Sequence, residues 1–124
     1  MIKVLIVDDQ SLVREGLSLM LSMYDNIQIV GEATNGKEAV ELLNQTEVDL
    51  ILMDIQMPEM NGYETTIELR KNVKFSNTPI IALTAGTTDG EKEKCLETGM
   101  NDYISKPIDK EQLKNVLNRW LNLV

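Results

Sequence analysis

Five short apolar runs, each followed by a stretch whose apolar residues recur at helical spacing, constrain this chain more than any other feature. Ile2–Val7 is the first run, and Leu12, Val13, Leu17, Met20 and Leu21 follow it on an apparent helical stripe. Ile27–Val30 is the second. A helix is expected from near Asn35, which stands three residues before Glu38 in capping-box spacing. Leu50–Met53 precedes a helix over Tyr63–Lys71, and Lys71–Thr78 reads as a polar loop. Pro79–Leu83 precedes a fourth helix headed by Thr88 and Glu91, again at capping-box spacing. Tyr103–Ser105 is a short fifth strand. Asp109 then caps a last helix whose stripe is Leu113, Val116, Leu117, Trp120 and Leu121.

Such alternation implies α/β architecture, a parallel sheet with helices on both faces. Strands one, three and four are almost continuously apolar, as central strands buried on both faces must be. Strands two and five carry polar residues (Gln28; Asp102 and Ser105), as edge strands do. The expected sheet is therefore five-stranded and doubly wound, in the flavodoxin-like order 2-1-3-4-5. The 124 residues suit one domain over 1–124 with a full hydrophobic core.

Bulk composition narrows the function. A net charge of −8 sets direct nucleic-acid binding against phosphate repulsion. With no histidine, the chain cannot use a histidine nucleophile, base or metal ligand of its own. The single Cys95 points to a reducing, cytoplasmic setting. No apolar run approaches the roughly 18 residues of a membrane span, and no leader is visible, so no membrane partner is expected.

In an open parallel sheet, ligands bind beyond the carboxyl ends of the strands where the strand order reverses. Asp8-Asp9 follow strand one, Asp54 strand three, Thr84 strand four and Lys106 strand five. Any one of these is an ordinary loop residue or helix cap. Together, three carboxylates, a hydroxyl and an ammonium arrive at one sheet edge. Crowded carboxylates repel, so a hard divalent cation such as magnesium is expected among them, with Lys106 adding positive charge. A metal and a lysine around a carboxylate suit phosphoryl transfer, which needs mostly positioning and charge neutralisation.

At these residues the chain resembles the receiver domains of bacterial two-component response regulators, chemotaxis receivers included, over essentially its whole length. The pieces that carry the resemblance are Val7-Asp8-Asp9, Leu52 to Gly62 with Asp54 at its head, Ala82-Leu83-Thr84-Ala85, and Tyr103-Ile104-Ser105-Lys106-Pro107. The resemblance implies that Asp54 accepts a phosphoryl group from a phosphohistidine, borne by a sensor histidine kinase or a histidine phosphotransfer protein, or from a small phosphodonor. It implies magnesium, with manganese able to substitute, on Asp9, Asp54 and the Gln56 backbone carbonyl, and on Asp8 through water. Thr84 and Lys106 would touch the phosphoryl oxygens, Thr84 and Tyr103 would form the switch, and the bond before Pro107 would be cis. Gln56 and Gly86 would tune the lifetime of the phosphate. Val13 to Gly36 resembles receivers joined to helix-turn-helix domains, and Asp49 to Ile108 resembles receivers of hybrid kinases, a pattern that a recombined chain, a designed chain or a natural receiver of another lineage would each give.

Three other readings compete. Gly31 to Lys37 fits the G-x-x-x-x-G-K spacing of a nucleotide loop, but Glu38 stands where Ser or Thr must hold magnesium. An aspartyl-phosphate phosphatase would need an acid–base residue at Gln56, which cannot transfer protons. An unphosphorylated interaction module would have no use for the acids, Thr84 and Lys106 together. A signalling domain is therefore expected rather than a turnover enzyme. Its output face, for a partner or a second copy, would be the fourth helix, fifth strand and fifth helix. Between Thr88 and Thr98 that helix offers only Cys95 and Leu96 as clearly apolar residues.

Overall fold

The computed structural model describes residues 1–86 and 89–121. Its elements run β1 (Ile2–Val7), α1 (Ser11–Leu21), β2 (Ile27–Ala33), α2 (Gly36–Leu43), β3 (Leu50–Asp54), α3 (Gly62–Arg70), a 3-10 turn (Val73–Phe75), β4 (Ile80–Thr84), α4 (Asp89–Thr98), β5 (Asp102–Ser105) and α5 (Lys110–Leu121). All strand pairs are parallel and the order is β2-β1-β3-β4-β5, as the strand compositions imply.

Alternation along the strands sorts the core into two layers, because successive strand side chains point to opposite faces. Val4, Ile6, Leu50, Leu52, Ile81 and Leu83 pack on one face against Leu17 and Leu21 of α1 and Leu113, Val116 and Leu117 of α5. Leu5, Val7, Ile51, Met53, Ile80 and Ala82 pack on the other, against Ala39 and Leu43 of α2, Leu69 of α3 and Cys95 of α4. Every residue of β3 and β4 is buried. Asp54 and Thr84 are consequently the last residues of their strands, carried to the sheet edge by a backbone that is packed on both sides.

Several local expectations need revision. Leu12 is 78% exposed, not part of the core stripe. It lies five residues, about 140° of helical rotation, from buried Leu17. The stretch expected to be a plain loop contains the 3-10 turn, which buries Phe75. Arg70 holds that stretch: its guanidinium donates to the carbonyls of Phe75, Thr78 and Gly99 and to the Asn101 side chain. Asp102 is nearly buried on its edge strand, accepting from Arg119 and from the Trp120 indole at 2.8 Å. Asn35 caps α2 as expected, but the Glu38 carboxylate accepts from the Thr34 amide and hydroxyl rather than from Asn35. A full capping box is present at α3, between Asn61 and Glu64. The proposed Thr88 cap falls outside the described residues. No helix among the described residues is long and apolar enough to cross a membrane.

Candidate functional site

The end of β1 places Asp8 and Asp9 beside Asp54 at the end of β3, with carboxylate oxygens of all three within 4.8 Å of one another. Asp8 is fully buried and Asp54 only 3% exposed, whereas Asp9 faces solvent. Asp8 Oδ1 accepts from the Gln10 amide at 2.8 Å, and Asp54 Oδ1 accepts from the Gln56 amide at 3.1 Å. The Lys106 ammonium lies 3.0 Å from Asp8 Oδ2 and 3.4 Å from Asp54 Oδ2. Asp8 Oδ2 is buried and makes no hydrogen bond of good geometry, so the lysine contact is ionic rather than directional.

Burial pushes the Asp54 carboxyl up to about 6, with the Asp8 charge adding to the rise; the Gln56 amide and Lys106 hold it back. Burial alone would lower the Lys106 ammonium, but Asp8 and Asp54 more than reverse that and raise it. Lys106 therefore stays charged, and Asp54 is ionised above roughly pH 6. One ammonium among three carboxylates leaves negative charge uncompensated. Together with the unsatisfied Asp8 Oδ2, that excess suits a hard, oxygen-seeking divalent cation.

The other expected residues lie on β4, on β5 and in the turn after β5. Thr84 is buried at the end of β4, and its hydroxyl donates to the Gly86 carbonyl at 2.7 Å. Tyr103 is half-buried on β5 beneath the Lys92 ammonium, 5.0 Å from the ring centre. The Lys106–Pro107 peptide is cis. An open trough of about 540 Å3 lies over the site, lined by Asp9, Gln56, Met57, Tyr63 and Lys94 among others.

Two glycines explain how the loops fit. A Cβ on Gly62 would collide with the Asp54 carbonyl and come within 2.8 Å of Ile55 Cα, so α3 starts directly against the end of β3. Gly36 donates its amide to the Met60 carbonyl, and a Cβ there would meet Thr65 Oγ1. The glycine loop before α2 is thus packed against the segment leading into α3, not arranged as a phosphate cradle. Arg14 belongs to the site's surroundings and is not visible as such in the sequence. Its Nη1 donates to the Asp8 carbonyl at 2.7 Å and its Nε to Glu32 at 3.1 Å. The one available signal was an arginine on the turn of helix after paired acids.

A family model for the response regulator receiver domain matches residues 4–118. The transcriptional regulatory protein YdfI of Bacillus subtilis is 42% identical over 116 residues, covering 94% of this chain and 53% of that protein. The histidine kinase BarA of Escherichia coli is 45% identical over 96 residues, covering 77% of this chain and 10% of the kinase. The chain thus spans about half of one such relative and a tenth of the other, and the first match runs across both halves of the sequence. Among solved structures, the receiver domain of a Pseudomonas aeruginosa sensor histidine kinase, with a magnesium ion coordinated in its active site cleft, is 34% identical. It covers 98% of both chains at a TM-score of 0.86. A chemotaxis response regulator of Vibrio cholerae is 32% identical, covers 98% of this chain and 99% of that one, and has a TM-score of 0.87. The family match over residues 4–118 and these likenesses to solved receivers show that this chain belongs to the response regulator receiver domains, the phosphoacceptor signalling modules of two-component systems.

Proposed function

We propose that residues 1–124 act as one receiver domain in which Asp54 is the phosphoryl acceptor. The observation that carries this is the place of its carboxylate: buried at the end of the central strand, beside the acids that follow β1 and in contact with the Lys106 ammonium it shares with Asp8. An Asp54 oxygen attacks the phosphorus of a phosphohistidine on a kinase or phosphotransfer partner, or of a small phosphodonor. The bond to the leaving atom breaks, and that atom keeps the electron pair. Asp9, Asp54 and the Gln56 carbonyl would hold magnesium, or manganese in its place, with Asp8 contributing through water. When bound, the ion neutralises charge on the phosphoryl oxygens and orients them. Lys106 would neutralise the same oxygens, and the open trough admits a donor carried on another protein.

Gln56 cannot transfer protons, so the domain keeps its phosphate as a signal instead of turning over as an enzyme. Thr84 would give up its bond to the Gly86 carbonyl in order to reach a phosphoryl oxygen, and Tyr103 would move with it. The response is expected on α4, β5 and α5, where a partner or second copy would bind; among the described side chains of α4 only Cys95 is buried, so little apolar packing holds it. That buried lone thiol also suits a cytoplasmic setting. Intact mass after incubation with acetyl phosphate and magnesium tests the assignment. The parent should gain one phosphate and Asp54→Asn none; equal labelling of both would refute it.

A further inference from the structure

We infer that Arg14 is a positioning residue for the divalent cation, setting the direction of Asp9 by clamping the peptide between Asp8 and Asp9. This rests on the magnesium reading above and extends it to a residue that touches neither metal nor phosphate. The two acids of β1 are held very differently. The Asp8 amide donates to the Ala33 carbonyl, its Oδ1 accepts from Gln10, and its Oδ2 faces Lys106. Asp9 is exposed, and its side chain has no comparable brace among the described contacts. Its direction therefore depends on the plane of the peptide that joins it to Asp8. The carbonyl of that peptide is the group to which Arg14 Nη1 donates at 2.7 Å.

The clamp is built from three elements. Arg14 lies on the first turn of α1, with its amide bonded to the Gln10 carbonyl. Its side chain is only 18% exposed, and Nε is held by Glu32 on β2, opposite Ile6 in the strand register. A rigid guanidinium can address a carboxylate with one edge and a carbonyl with the other, which a single ammonium cannot. Outer groups that orient metal ligands typically change metal affinity about 10–100-fold when removed.

Charge and positioning predict opposite signs, which makes the idea decidable. Arg14 is a cation close to a cation site, so by Coulomb repulsion alone Arg14→Ala should bind magnesium more tightly. Positioning predicts weaker binding, by about tenfold, with Arg14→Lys about threefold weaker although its charge is unchanged. Magnesium affinity should be measured by calorimetry on the whole chain at a temperature where each variant is fully folded. Phosphorylation by acetyl phosphate should be followed in parallel against magnesium concentration. The expected pattern is a higher magnesium requirement in both variants, with the maximal rate recovered at saturation. Unchanged or tighter binding in Arg14→Ala would overturn the inference. If that variant does not fold, Arg14→Lys decides alone, and parental affinity in it is equally fatal. Failure of the parent itself to bind magnesium would overturn both this inference and the reading beneath it, whereas a binding parent with unaffected variants would overturn only the clamp.

Discussion

Replacing Asp54 with asparagine should stabilise the metal-free fold near neutral pH while abolishing phosphorylation. The Asp54 carboxyl titrates at about 6 in the fold against an ordinary value of 3.8. At 1.36 kcal/mol per pH unit, keeping it ionised costs the fold on the order of 3 kcal/mol. Asparagine resembles the protonated acid in size and in offering one carbonyl acceptor, so it removes that cost. The sign follows from proton binding. Below pH 3.8 both folded and unfolded Asp54 are protonated, and parent and variant should be about equally stable. Between 3.8 and 6 the unfolded chain releases the proton while the fold retains it, and the parent loses stability relative to the variant as pH rises. Above 6 the full gap of about 3 kcal/mol remains, roughly 10 °C in midpoint for a domain of this size. Urea unfolding in chelator at pH 4, 5, 6 and 7.5 would measure it, with the single Trp120 as fluorophore. Contributions shared by the two proteins cancel, so the difference reports the Asp54 charge together with its coupling to Asp8 and Lys106. A gap that is absent at pH 7.5, or that does not shrink below about 1 kcal/mol by pH 4, would refute the burial argument.

Magnesium at tenfold over its dissociation constant should stabilise the parent by about 1.4 kcal/mol, and Asp9→Ala should lose that gain; thermal unfolding with and without the ion distinguishes the two. Lys106→Ala leaves Asp8 and Asp54 facing each other without the ammonium and should destabilise the metal-free fold by roughly 2 kcal/mol, seen in urea midpoints in chelator. Gly62→Ala drives a methyl into the backbone at the end of β3, where nothing flexible can give way, and should cost about 1–3 kcal/mol. Because the displaced backbone carries Asp54, its phosphorylation by acetyl phosphate should also slow. Asp102→Ala strips the partner from the Trp120 indole and should cost about 1–3 kcal/mol, accompanied by a change in the tryptophan emission of the folded protein.

Much of this protein was legible before any coordinates, for a physical reason. A strand buried on both faces must be apolar throughout, so Leu50–Met53 and Ile80–Leu83 declared themselves central, and a parallel sheet carries all its strand ends to one edge. Asp8, Asp9, Asp54, Thr84 and Lys106 were therefore assembled by topology alone, and the motifs around them pointed to the family. Pairings between residues distant in sequence were not legible, because composition and period say which face a residue occupies but not what it meets there. Asp102 looked like an edge-strand polar residue until α5 brought Arg119 and Trp120 over it. Lys71–Thr78 looked like open loop until Arg70 tied its carbonyls to the α4–β5 connection and the 3-10 turn packed Phe75 into the core. Leu12 counted as core by its chemistry, and only the helical phase of α1 turned it to solvent. Arg14 and Glu32, eighteen residues apart, meet between α1 and β2 and hold the peptide that aims Asp9. The sequence alone determined which groups converge; the tertiary packing decided which of them are buried, charged and held still, because desolvation and directional hydrogen bonds exist only once the elements have docked.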